Sequence, residues 1–318
     1  MHRCALLALV MMLSAGPARG QEVPPSAAAA QPEAAPVYDE SADGERQIAD
    51  ALAAAGRENR RVLIQWGANW CGWCIKLHEL SGSNPEIRAK LLYEYDVVHI
   101  DIGRFDKHME LAAKYGADLQ ASGVPFLTVL DADGNVVANQ ETGSLENPQG
   151  AQPAHNVEKV LGFLTTHQAE YRSATGILEE GLARAKSEGK AAFVHFGAPW
   201  CGWCHKLEAF LARDDMAPLF AEHFVDVKID TDRTIGGGDV LLEMRGSQQG
   251  GIPWFVFLDS AGEPIATSSD SGQNTGFPVA PEEIAAFMEM LRKVKPAIPA
   301  EPLDRIETAL RQGAKSDG

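Results

Sequence analysis

The chain has 318 residues, with 44 acidic against 28 basic side chains and a formal net charge of −16. That balance argues against nucleic acid as a partner, because a phosphate backbone is bound by basic surface. The length suffices for two domains of ordinary size, each with its own core.

His2 and Arg3 precede the apolar run Cys4 to Leu13, which gives way to the small residues Ser14, Ala15, Gly16 and Ala18. This order predicts a secretory signal peptide over residues 1–20. The apolar run is about ten residues, against the roughly twenty that span a bilayer, so the expected product is cleaved and unanchored, in the periplasm or secreted. Residues 21–40 form a Pro/Ala-rich linker: Pro24, Pro25, Pro32 and Pro36 among Ala, Glu and Gln cannot bury a core. Globular structure is expected from near Tyr38.

Residues 41–172 and 173–295 read as two copies of one domain, followed by a tail over 296–318 with one short helix at Leu303–Leu310. The stretch Val62 to Cys74 lies over Ala192 to Cys204, with W-C-G-W-C in both, and Gly123-Val124-Pro125 returns as Gly251-Ile252-Pro253. Cys71 and Cys201 are 130 residues apart and Pro125 and Pro253 are 128 apart. Two landmarks in near-constant register indicate duplication of a whole domain. Each copy reads as strand, helix, strand, helix, two strands and a final helix. In the second, Ala191–Phe196, Phe224–Ile229, Trp254–Leu258 and Ile265–Thr267 are the strands. In the first, Phe126–Leu130 and Val136–Ala138 flank the turn Asp131 to Asn135. Closing helices are expected at Asn156–Tyr171 and Pro281–Lys293. The fold class is α/β, with a mixed central sheet covered by helices in each domain.

The strand, the W-C-G-W-C that follows it, the helix behind and a Val-Pro or Ile-Pro opening a later strand resemble thioredoxin. Gly-Ala-x-Trp-Cys-Gly-Trp-Cys-x-Lys-Leu is similar to an exported branch that includes the C-terminal domain of the periplasmic disulfide interchange reductase. The resemblance implies two tandem thioredoxin-fold domains and a dithiol acting on protein disulfides, with no cofactor or metal. Cys71 and Cys201, at helix starts, would be the attacking thiolates, favoured by free N–H groups and the helix dipole. Cys74 and Cys204 would resolve the mixed disulfide. Pro125 and Pro253 are expected cis, and Val124 and Ile252 are expected to pair backbone to backbone with an extended substrate. Trp70 and Trp200 offer apolar surface beside the sulfurs, or are ordinary packing. The expected partners are disulfide-containing or dithiol proteins, with a membrane electron donor if the centres run as reductases.

Three other functions fit two C-x-x-C pairs. Four thiolates could hold one structural zinc ion; Cys201-x-x-Cys204-His205 fits c-type haem attachment, although the first copy has Ile75 where His205 stands; and the scaffold could act as a chaperone or docking module. Thr142–Pro153, Gly236-Gly237-Gly238 and Ser268–Pro278 exceed a minimal core and are expected as surface loops near the redox face. The resemblance also exposes a departure. Six residues before the attacking cysteine, where thioredoxins carry a buried carboxylate, this chain has Gln65 and His195. Four residues after each resolving cysteine stand His78 and Glu208, on the same helical face by spacing. His195 with Glu208, and His78 alone, are the expected substitute bases.

Overall fold

In the computed structural model, which describes residues 36–316, the first domain opens on a helix, α1 (Gly44–Glu58), before its central strand β1 (Arg61–Gly67). Helices α2 (Gly72–Ser83) and α3 (Pro85–Glu94) follow, then β2 (Tyr95–Asp101), the short α4 (Met109–Lys114) and α5 (Leu119–Ser122), β3 (Phe126–Leu130), β4 (Val136–Glu141) and α6 (Val157–His167). The second domain repeats the order: α7 (Ala174–Glu188), β5 (Ala191–Gly197), α8 (Gly202–Leu211), α9 (Ala217–His223), β6 (Phe224–Asp230), α10 (Gly237–Arg245), β7 (Trp254–Leu258), β8 (Pro264–Thr267), α11 (Pro281–Lys293) and α12 (Ala300–Ser316). The expected signal peptide and the expected linker through residue 35 lie outside the described residues.

Each sheet has four strands, in the orders β2-β1-β3-β4 and β6-β5-β7-β8. The central strand pairs parallel on one side and antiparallel on the other, as a mixed thioredoxin-like sheet requires. From Val62 onward β1 is buried, and β5 is buried throughout. Continuous apolar runs of this kind arise when helices cover both faces. One face of the second sheet packs Phe193, Phe255 and Phe257 against α8, α9, α11 and α12, and the other packs Val194, Phe196 and Trp254 against α7 and α10.

Five segments differ from the sequence expectation. Helices α1 and α7 precede the first strand of each copy. Their apolar faces are narrow: α7 buries only Ala174, Gly181 and Ala185, and Gly181 lies so close on Val227 that even a Cβ would collide. Helix α6 stops at His167, short of Tyr171, because Ala169 turns into the core and the Tyr171 hydroxyl donates to Glu94 (2.5 Å). The C-terminal helix runs over 300–316, longer than Leu303–Leu310, and buries Ile306, Ala309 and Leu310 in the second core. Gly236-Gly237-Gly238 is not a surface loop: Gly236 (φ 76°) is the N-cap of α10, and Gly237 lies against the Asp230 carbonyl with no room for a side chain.

A buried ion pair joins the two domains. Arg233, just after β6, pairs with Glu94 at 3.1 Å, both side chains almost wholly buried. Its Nη1 donates to Glu58 O (2.8 Å) and Nη2 to Asn59 O (2.9 Å), at the C-terminal end of α1. A cation there meets both the unpaired carbonyls and the negative end of the helix dipole. Burial first, and the bond to Glu94 second, push the Tyr171 hydroxyl up to about 12, so it remains a donor to that carboxylate. Replacing Arg233 by Met leaves Glu94 charged in a dry site, and urea denaturation should then show a loss of about 3–5 kcal/mol. Arg233→Met/Glu94→Gln should recover part of it.

Candidate active site

Cys71 is the N-cap of α2 and Cys201 the N-cap of α8, both with extended backbone. Each sulfur accepts the backbone N–H three residues on, Cys74 N or Cys204 N, at 3.1 Å. An Asp or Ser oxygen normally takes that bond. With sulfur in its place, the helix start stabilises negative charge on the attacking atom. Both pairs are closed as disulfides with Cα–Cα distances of 5.2 Å.

The peptide bonds preceding Pro125 and Pro253 are cis. The carbonyl oxygens of Val124 and Ile252 lie 3.5 Å from Cys71 Sγ and 3.6 Å from Cys201 Sγ. Two inserts are anchored on these proline loops. Thr142 Oγ1 donates to Pro125 O (2.7 Å), and Asn274 Nδ2 donates to Gly251 O and Pro253 O (both 3.0 Å). The tryptophans form an apolar rim: Trp70, Trp200 and Trp203 are 44 %, 59 % and 50 % exposed. Trp70 Nε1 donates to Gly103 O (2.6 Å), whereas Trp200 Nε1 donates to Asp232 Oδ2 (2.8 Å), which also accepts from the Tyr93 hydroxyl of the first domain (3.1 Å).

Behind the sulfurs the two copies differ. Gln65 Nε2 donates to the hydroxyl of buried Tyr38 (2.7 Å) and to Cys74 O (3.2 Å). His78 does not act on its own: its Nδ1 lies 3.3 Å from Nε2 of His99, the β2 residue opposite Gln65. In the second copy the expected His195–Glu208 pair does not form. His195 Nε2 bonds Asp226 Oδ1 (2.9 Å), and Glu208 pairs with Lys228 (2.7 Å), the β6 residue opposite His195. Neighbouring residues on the adjacent strand supply partners closer than helical spacing could indicate. His99, Lys228 and Asp226 were therefore missed, and only the parallel register brings them to the site.

Among the described residues, one group could offer three metal-ligating atoms within 4.8 Å of one another: Glu58, His205 and Glu208. Lys228 Nζ already stands between the two carboxylates, 2.7 Å from Glu208 and 3.6 Å from Glu58, so an ammonium holds the place a metal ion would take. His205 Nε2 is turned onto Pro199 O (2.8 Å), away from the geometry of a haem ligand. The cysteine pairs sit in separate clusters, one with Tyr38 and one with Ala198, so four thiolates do not meet at one ion.

Residues 154–312 match a family described as Thioredox_DsbH, protein of unknown function, DUF255, and residues 48–163 match a thioredoxin-like domain. The chain belongs to the thioredoxin-like family. It is 33% identical to a solved disulphide isomerase from Xylella fastidiosa Temecula1, over 41% of this chain and 95% of that one, with a TM-score of 0.36. Protein disulfide isomerase-like 2-2 of Oryza sativa subsp. japonica is 28% identical over 188 residues, 55% of this chain and 44% of the relative. Protein disulfide-isomerase erp38 of Neurospora crassa is 24% identical over 190 residues, 57% of this chain and 46% of the relative. This thioredoxin-like chain thus spans less than half the length of the curated relatives it matches.

The polar residues behind the first centre of this thioredoxin-like chain give it an acid-sensitive element. Burial first, and His78 second, push His99 from 6.5 down to about 4. The folded chain keeps the ring neutral where the unfolded chain takes up a proton, so this contribution is complete above about pH 6.5 and is lost as pH falls toward 4. His99→Gln should flatten the acid limb of unfolding free energy against pH by on the order of 1–3 kcal/mol in that window. Urea titrations at half-unit pH steps measure it, and parallel curves for the two proteins would contradict the assignment.

Proposed function

We propose that the protein is an exported thiol–disulfide oxidoreductase that reduces disulfides of other proteins through two dithiol centres and is recharged by a membrane electron donor. One observation carries the reading: in both copies the attacking sulfur caps a helix, 3.1 Å from an N–H and beside the carbonyl preceding a cis-proline. The Cys71 or Cys201 thiolate attacks a substrate disulfide and one substrate sulfur leaves with the bonding pair. Cys74 or Cys204 then displaces the other, so two electrons pass from dithiol to substrate. Val124 and Ile252 present backbone to an extended chain, and the exposed tryptophans give it an apolar seat.

The resemblance of Gly-Ala-x-Trp-Cys-Gly-Trp-Cys-x-Lys-Leu to an exported branch that includes a disulfide interchange reductase supports the reducing direction. The leader pattern over residues 1–20 supports export. Among the described residues no helix is long and apolar enough to cross a membrane.

Turnover of insulin disulfides driven by dithiothreitol tests the activity. Cys71→Ser and Cys201→Ser should each remove one centre's share, and the double variant should fall at least about hundredfold, since a hydroxyl is not ionised near neutral pH. Undiminished suppression of aggregation with lost turnover would fit an additional holdase role. Undiminished turnover in the double variant would overturn the reading. Acid trapping of the thiols in the source compartment tests direction, the expected steady state being reduced.

A further inference from the structure

The first centre lacks the carboxylate found behind the second, and another group stands in its place. A Cβ built on Gly67 would collide with Cys74 Sγ at 2.7 Å and with the Tyr38 hydroxyl closer still. On Gly197, the same position in the second copy, it would meet Cys204 Sγ at 3.4 Å and Glu208 Oε1 at 3.6 Å. The phenol therefore occupies behind Cys74 the place that Glu208 occupies behind Cys204. Tyr38 is fully buried in one cluster with Cys71 and Cys74. Its backbone is tied twice to Asn69: Tyr38 N donates to Oδ1 (3.0 Å) and Asn69 Nδ2 donates to Tyr38 O (2.9 Å). The second copy has Pro199 there and cannot make this tie. Gln65 fills an acceptor site of the hydroxyl, and among the described residues no oxygen or nitrogen takes its hydrogen. With the disulfide closed the hydroxyl makes no bond to Cys74 Sγ either; opening the disulfide turns that neighbouring sulfur into a thiolate that can accept.

We propose that the Tyr38 hydroxyl donates a hydrogen bond to the sulfur of Cys74 and so sets the reactivity of the resolving thiol in the first centre. The inference rests on the dithiol–disulfide exchange proposed above. In that exchange the Cys74 thiol gives its proton to solvent, its thiolate forms the bond to Cys71 Sγ, and the substrate sulfur leaves with the electron pair of the broken bond and is protonated from solvent. Tyr38 keeps its own proton. Burial holds the hydroxyl well above the ordinary tyrosine value, with the bond from Gln65 acting against the rise and Asp101 adding to it. The other titratable groups facing this space are His78 of α2 and His99 and Asp101 of β2, and Asp101 is paired with Lys107 (3.3 Å). A bond donated to the thiolate favours the reduced form, which makes the first centre the more oxidising of the two.

The test uses the full chain with the second centre silenced by Cys201→Ser/Cys204→Ser. Tyr38→Phe should slow resolution of a Cys71–glutathione mixed disulfide about tenfold at pH 7, raise the apparent pKa of that step by about one unit, and shift the glutathione equilibrium toward the disulfide, by up to about tenfold at a pH above that pKa. Asn69→Ala, which frees the Tyr38 backbone and leaves the hydroxyl, should move the same three quantities in the same direction by less, and it carries the test if Tyr38→Phe does not fold. Unchanged pH profile and equilibrium in the folded variants overturn the proposal. A slower rate at every pH with an unmoved apparent pKa also overturns it, by assigning Tyr38 to packing. If the unsubstituted first centre does not exchange with glutathione at all, the parent reading fails, and that is visible before any Tyr38 variant is made.

Discussion

A helix capped by a cysteine sulfur has exchanged the usual oxygen acceptor for a larger, more polarisable atom, and the architecture of both centres serves that exchange. The N–H of the resolving cysteine must point at the attacking sulfur, which fixes the first turn of α2 and of α8. The strand before each helix must end directly beneath, so β1 and β5 lie at the middle of their sheets with neighbours on both sides. The cis-proline loops then close the site from the front. Nothing in either loop donates to the sulfur, and the carbonyls of Val124 and Ile252 face it instead.

The front of each centre was legible in the sequence because it depends on spacing along the chain. C-x-x-C after an apolar run locates a sulfur at a helix start, and the recurring Gly-Val-Pro and Gly-Ile-Pro place the facing loop. The strands β3, β5 and β7 were readable as short apolar runs and β6 by its alternation, for the same reason. The back of each centre depends on pairing across strands. His99 and Lys228 face Gln65 and His195 only through the parallel register, and no local pattern marks them. Spacing did select His78 and Glu208, but it left His78 alone and gave Glu208 to His195, where the structure pairs them with His99 and Lys228. Tyr38 was hardest to see, since it borders a run of Pro and Ala and lies 31 residues before the Asn69 that holds it. Helices α1 and α7 were missed because small residues, which carry little apolar signal, form much of their buried faces.

The duplicated fronts are nearly superposable in chemistry while the backs have diverged: a phenol, an amide and two imidazoles in one copy, an imidazole, two carboxylates and an ammonium in the other. Residues behind a disulfide change the relative stability of thiolate and disulfide without touching a substrate. Divergence in this layer leaves the sulfur-capped helix and the cis-proline loop alike in both copies, a separation of back from front that a duplicated centre permits and a single one does not.

The buried bridge from Arg233 to the end of α1, together with the oxygen of Asp232 shared by Trp200 and Tyr93, bears on modularity. Tandem repeats are commonly treated as beads that can be cut apart and studied singly. Here a cut between residues 172 and 173 would bare a guanidinium on one fragment and a carboxylate on the other, and would take from Trp200 the neighbour that shares its acceptor. Fragments of this chain are therefore not small versions of it, and the unit of expression and engineering is the pair.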